Sequence, residues 1–255
     1  MVLYFSATGN TEYVAGKIAK MTGDEALDLL KRIKEKDYSP IRSEKPFVIC
    51  SPIYVCEMPR FFAAFLRKLV LKGNRKVYFI TTSGGYAGVG GNVAKRIAKK
   101  KHMIFMGHKD IKMPPNYPVS KRYKLLSPKE TVERLRAGAK EIPAVAAHIK
   151  RGEHIRDRYV LLLEKVIIRP FNPLWVRLKQ PTRHFSTTDD CIGCGKCVAR
   201  CPLNRITLVE DRPKWEGNCA HCMSCIANCP VEAIEYGHVK KGVEKYRIGK
   251  YLKKK

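Results

Sequence analysis

The chain has 255 residues, of which 45% are hydrophobic and 29% charged, and its formal net charge is +27. That length is enough for one large domain or two smaller ones with an adequate core. A field of this sign favours acidic protein partners and anionic surfaces. Nucleic acid ranks low: no nucleic-acid motif or aromatic–basic platform is present, and the basic residues run along the whole chain from Lys17 to Lys255.

The chain opens with Met1-Val2-Leu3-Tyr4-Phe5, which reads as a strand rather than a secretory signal. It runs into Ser6-Ala7-Thr8-Gly9-Asn10-Thr11 and then a helical pattern at Val14, Ile18 and Ala19. A strand, a hydroxyl- and Gly-rich turn and a helix start together form an anion site, because backbone N–H groups and the helix N-terminus face the anion. No Walker lysine and no G-x-G-x-x-G accompany it, so a monophosphate held without metal fits best.

Phe47–Cys50 reads as a buried strand ending in Ser51-Pro52-Ile53-Tyr54, followed by a helix pattern through Phe61, Phe62, Phe65, Leu66 and Leu69. Val77–Thr82 is a second buried strand, ending in Ser83-Gly84-Gly85-Tyr86 and followed by Val93, Ile97 and Ala98. Met103 to Ile111 reads as the last strand and leads into Met113-Pro114-Pro115-Asn116-Tyr117. This alternation predicts an α/β fold with a doubly wound parallel sheet. In such sheets ligands sit beyond the C-terminal strand ends, where these loops lie. Asn116 or Tyr117 is placed to touch a ligand there or the C-terminal part. Cys50 reads as core, and Cys56 as a loop thiol that Glu57 keeps unreactive.

Pro128 to Lys150 reads as a helix that closes the first unit. Tyr159 to Gln180 then forms a bridge broken by Pro170 and Pro173, with Pro181 after it. The apolar face of the bridge, including Leu161, Leu162, Val166 and Ile167, is expected to pack against protein. Docking of this basic amphipathic stretch on a membrane surface is the lesser reading. Its Glu164, Lys165 and Arg169 make it too charged to span a bilayer.

The cysteines give the strongest signal. Cys191, Cys194, Cys197 and Cys201-Pro202 form one C-x2-C-x2-C-x3-C-P run; Cys219, Cys222, Cys225 and Cys229-Pro230 form another. This is the spacing of bacterial two-cluster ferredoxins, in which three cysteines wrap one cubane and the fourth ligates the other. Cys191, Cys194, Cys197 and Cys229 are therefore expected to hold one [4Fe–4S] cluster, and Cys219, Cys222, Cys225 and Cys201 the second. Gly193 and Gly195 let backbone N–H groups approach the sulfurs. A pair of zinc sites is the poorer reading, because zinc ribbons use two C-x2-C pairs rather than two matching sets of four. His221 and Met223 lie between ligands and are expected to tune the potential. Lys250–Lys255 reads as a disordered basic tail.

On these residues the chain resembles the clostridial flavodoxin–ferredoxin fusion proteins. The Ser6–Thr11 loop is similar to the flavodoxin phosphate loop. Met113–Tyr117, Asn172-Pro173-Leu174-Trp175 and the cysteine array are further shared features. The resemblance implies FMN, bound by Ser6, Ala7, Thr8, Gly9, Asn10, Thr11, Pro52, Ile53, Tyr54, Ser83, Gly84, Gly85 and Tyr86. Tyr54 and Tyr86 are the aromatic groups available to stack on the flavin. The chain departs from typical flavodoxins in being basic and in lacking a Trp on the first flanking loop.

The expected layout is a flavodoxin-like FMN domain over 1–150, a bridge over 151–180, a small α+β two-cluster ferredoxin domain over 181–239 and a basic tail over 240–255. The expected function is cytoplasmic electron transfer among a redox partner, two [4Fe–4S] clusters and FMN, as an oxidoreductase-type carrier without its own NAD(P)H site. Acidic redox proteins are the expected partners, and a homodimer is compatible with the sequence. The competing readings are a flavin-dependent reductase of a small molecule, and a cluster-only carrier whose flavodoxin-like part binds a partner.

Overall fold

The computed structural model describes residues 1–119, 125–179, 181–240 and 242–252. Its first part comprises β1 (Val2–Tyr4), α1 (Asn10–Thr22), β2 (Ala26–Asp28), α2 (Leu30–Glu35), β3 (Ile41–Ser43) and β4 (Phe47–Pro52). It continues through α3 (Arg60–Lys68), β5 (Leu71–Gly73), β6 (Lys76–Ser83), α4 (Gly90–Lys100), β7 (Ile104–Lys112) and α5 (Pro128–Arg151).

Five of these strands pair in parallel in the order β2-β1-β4-β6-β7. Counted by the sheet's own strands this is 2-1-3-4-5, the flavodoxin-like order. Every residue of β4 is buried, and so is β6 from Val77 to Ser83. Strands covered on both faces need such continuous apolar runs. Period-two alternation splits them between two cores. Leu3, Phe47, Ile49 and Phe79 pack with α2, α3 and α4, whereas Val2, Val48, Cys50, Tyr78 and Ile80 pack with α1 and α5. Ser127 and Glu130 form a reciprocal capping box that starts α5. The phosphate-loop candidate lies where β1 ends and α1 begins, and the other candidate loops follow β4, β6 and β7.

The second part comprises α6 (Leu162–Lys179), β8 (Phe185–Thr187), α7 (Lys196–Ala199), β9 (Ile206–Val209), β10 (Arg212–Trp215), α8 (Ser224–Asn228), β11 (Ile234–Tyr236) and α9 (Gly249–Leu252). β8 pairs with β11 and β9 with β10, both antiparallel. A third core gathers Ile206, Met223, Ile226, Ile234 and Tyr236 around the cysteines.

Three expectations are corrected. Pro170 and Pro173 do not break the bridge: α6 runs through both. On the bridge, Leu161, Leu162, Val166 and Ile167 do not pack against the chain: they are 55–73% exposed. The inward stripe is Glu164, Ile168 and Asn172, spaced at helical period on the opposite face. The basic tail is also ordered further than its composition suggests. Tyr246 and Ile248 are buried in the α1–α5 core, and α9 carries the chain to Leu252. Gln180 and Lys253–Lys255 lie outside the described residues.

Candidate functional site

A cavity open to solvent lies at the C-terminal edge of the sheet. Ser6, Ala7, Thr8, Asn10 and Thr11 line one side, Pro52, Ile53 and Tyr54 a second, and Ser83 and Gly84 a third. Thr82, Pro114 and Asn116 complete the wall. Gly9, at φ +100°, turns the chain so that its N–H reaches Ser6 Oγ at 3.2 Å and α1 begins behind the loop. Thr11 Oγ1 and Thr82 Oγ1 are 2.8 Å apart and tie this loop to the end of β6. No lining residue carries a formal charge. The wall offers hydroxyls, amides and a helix N-terminus, a donor set suited to a phosphate.

Three of the expected residues are absent from the wall. Gly9 sits behind it, packed on Ile248, so that a Cβ there would collide with the isoleucine side chain. Gly85 lies beyond the lining. Tyr86 turns away: its hydroxyl donates to Glu164, and the Arg158 guanidinium stands 5.3 Å over its ring. Tyr54, in contrast, lines the cavity with its hydroxyl buried and without a hydrogen-bond partner. Burial raises its phenol well above the usual range, and the nearby Cys222 and Cys219 sulfurs add to the effect.

The eight cysteines line two further cavities. One is walled by Cys191, Cys194, Cys197 and Cys229. The other is walled by Cys201, Cys219, Cys222 and Cys225. Each therefore takes three cysteines from one run and the fourth from the other. Among the described residues, no group of three or more His, Cys, Asp or Glu side chains is arranged to hold a single ion. Burial pushes the Cys219 thiol up to about 11 and moves Cys222 and Cys225 upward too, with neighbouring thiols adding to each. Such thiols lose their protons on binding metal rather than to water.

The two runs differ in one telling way. Gly193 and Gly195 adopt left-handed backbone in the first, and their counterparts His221 (φ 47°) and Met223 (φ 61°) do so in the second. A side chain in that region costs roughly 1–2 kcal/mol. Both side chains are buried, and the His221 ring meets Tyr117, whose hydroxyl lies 2.9 Å from Nδ1. In the first run a Cβ at Gly193 would come within 2.9 Å of the Asp211 side chain, too close for a side chain there.

The second cysteine cavity and the sheet-edge cavity share a wall. Ser224 Oγ and Asn228 Nδ2 of α8 donate to the Ala7 carbonyl at 3.2 and 3.1 Å. Cys222 packs against the core that holds Tyr54. Asn172 Nδ2 of α6 donates to the Tyr54 and Val55 carbonyls and fixes the loop after β4. The C-terminal segment closes the other side: Ile248 N donates to the Thr8 carbonyl at 3.0 Å and Tyr246 Oη to Asn10 Oδ1 at 2.5 Å. Ser224 and Asn228 carried a faint sequence signal, two polar residues at helical spacing on either side of Cys225. Tyr246 and Ile248 carried none, being apolar residues in a lysine-rich tail.

Residues 190–233 match the 4Fe-4S dicluster domain family. Comparison with curated proteins finds no match. Among solved structures, the chain is similar to a flavodoxin from the domain Archaea at 17% identity, with 58% of this chain and 97% of that one covered and a TM-score of 0.30. It is also similar to the two-electron reduced flavodoxin of Megasphaera elsdenii at 16% identity, covering 58% and 99%, with a TM-score of 0.34. A flavoprotein from Lactobacillus acidophilus, solved in complex with FMN, matches at 17% identity over 43% and 90%, with a TM-score of 0.31. The fold assignment rests on the strand order, not on these likenesses. No helix among the described residues is long and apolar enough to cross a membrane.

Proposed function

We propose that this chain, a flavodoxin-like domain joined to a 4Fe-4S dicluster domain, passes electrons between an external partner, two [4Fe–4S] clusters and an FMN in the sheet-edge cavity. The observation that carries the reading is the shared wall: the carbonyl of Ala7, inside the phosphate-loop candidate, accepts hydrogen bonds from the helix that bears Cys225.

Cys191, Cys194, Cys197 and Cys229 would hold the outer cluster, and Cys201, Cys219, Cys222 and Cys225 the inner one beside the flavin. Two runs of four cysteines, each lending its fourth to the other cavity, suit two cubanes better than zinc sites. Ser6, Thr8 and Thr11 would hold the FMN phosphate with hydroxyls and the α1 N-terminus. Tyr54 would stand between the flavin and the inner cluster. FMN supplies the coupling of one-electron to two-electron chemistry, and the chain supplies position, burial and hydrogen bonds.

The outer cluster is the point of exchange with a partner, because Cys194 and Ile192 are exposed there. The net charge of +27 favours an acidic redox protein. The test is cofactor content after anaerobic reconstitution with iron, sulfide and FMN. The expected result is iron and sulfide for two [4Fe–4S] clusters and one FMN per chain. Clusters without bound flavin would leave a cluster-only carrier.

A further inference from the structure

The outer face of α6 carries five exposed aliphatic side chains that the proposed electron path leaves unused. Leu162, Leu163, Val166, Ile167 and Leu174 are 55–73% exposed there. They are neighbours at helical spacing, on the side of the helix away from Glu164, Ile168 and Asn172. Those three residues fasten α6 to the body. Glu164 pairs with Arg158, Ile168 enters the core of the α2–α4 face, and Asn172 holds the Tyr54 and Val55 carbonyls. The helix therefore lies along the protein surface with an aliphatic stripe outward. Tyr159, at 81% exposure, stands just before its N-terminus.

Contiguous apolar surface of this kind marks an interaction site. The surroundings say which kind. Ile168 enters the same core as α3 and α4, the helices that carry Arg60, Arg67 and Arg96. Those three arginines are exposed on α3 and α4. An outward aliphatic stripe, on the same side of the sheet as three exposed arginines and in a chain of net charge +27, is the pattern of a helix lying in the interface of an anionic bilayer. A second copy of the chain would bring another +27 against this face.

We propose that the outer face of α6, with the arginine rim of α3 and α4, docks the protein on the surface of an anionic lipid bilayer. The helix lies in the plane of the interface, with Leu162, Leu163, Val166, Ile167 and Leu174 among the acyl chains and Arg60, Arg67 and Arg96 at the headgroups. Nothing in this docking depends on the FMN cavity being filled.

The test is co-sedimentation of the anaerobically purified full chain with vesicles of phosphatidylcholine alone, or of phosphatidylcholine with phosphatidylglycerol. The expected result is binding to the anionic vesicles that weakens as salt is raised, with little binding to the neutral ones. The double substitution Val166→Glu and Ile167→Glu is expected to weaken binding by about tenfold or more while cluster absorbance stays unchanged. If that variant folds poorly, Arg60→Gln with Arg67→Gln tests the rim instead, and lower affinity for anionic vesicles is expected. Failure of the wild-type chain to bind anionic vesicles at low salt would overturn the proposal, as would binding unchanged in the variants. Sedimentation velocity without lipid supplies the last arm: a wild-type dimer that the glutamate variant converts to a monomer would make this face a contact between copies and overturn the proposal.

Discussion

Asn228 Nδ2 lies 3.1 Å from the Ala7 carbonyl, so a helix that carries a cluster cysteine also holds the loop proposed to bind phosphate. Ser224 Oγ reaches the same oxygen at 3.2 Å. Both donors are buried. Replacing both with alanine leaves that carbonyl without its partners, at a cost of about 1–3 kcal/mol. Titration of FMN into flavin-free Ser224→Ala, Asn228→Ala protein should give a dissociation constant raised about tenfold, equal to about 1.4 kcal/mol. Iron content should be unchanged.

Tyr54 separates its ring from its hydroxyl in the same way. The ring lines the cavity, whereas the hydroxyl is buried without a hydrogen-bond partner. Tyr54→Phe removes an unsatisfied polar atom and keeps the ring, so the urea midpoint of the flavin-free protein should hold or rise. Tyr54→Ala opens a gap between cavity and cysteines and should lower stability by about 2 kcal/mol or more.

The C-terminal segment is expected to act on the flavin site and not on the clusters. Ile248 is buried against Gly9 and donates its N–H to the Thr8 carbonyl. Ile248→Ala should cost about 2–5 kcal/mol in denaturant unfolding. FMN affinity should fall while the iron-to-protein ratio stays constant. Equal loss of both cofactors would place this segment in general stability instead.

Cys56 gives a pH-dependent expectation. Burial raises its thiol above the usual range, with the Glu57 carboxylate adding to the effect. A raised thiol pKa leaves less thiolate at neutral pH, and thiolate is the nucleophile. Alkylation of Cys56 by iodoacetamide in the cluster-loaded protein should be slower than that of free cysteine. Its rate should go on rising at pH values where free cysteine has levelled off.

The parts legible in the sequence are those set by local pattern. Buried runs at Phe47–Cys50 and Val77–Thr82 marked central parallel strands, and the cysteine spacing marked residues that line the two further cavities. The cavity wall was legible at Ser6–Thr8, Asn10–Thr11 and Pro52–Tyr54, where chain order alone puts a loop at a strand end. Tyr86 was misplaced because its orientation depends on Glu164 and Arg158, far along the chain. The outward face of α6 was misread because an apolar stripe does not say what covers it. The αL backbone at His221 and Met223 was hidden because the packing that offsets its cost comes from residues distant in sequence, among them Tyr117, Phe185 and Tyr236. The ordered segment at Tyr246–Leu252 was hidden because its contacts, with Thr8, Gly9 and Asn10, are at the other end of the sequence.

The central claim is that one chain wires its inner cluster to its own flavin. Its most direct test is pulsed one-electron reduction of the clusters in reconstituted protein, with flavin absorbance followed at several protein concentrations. The account predicts flavin reduction with a rate constant independent of protein concentration. A rate that grows in proportion to concentration, or a flavin that stays oxidised while the clusters are reduced, would contradict it.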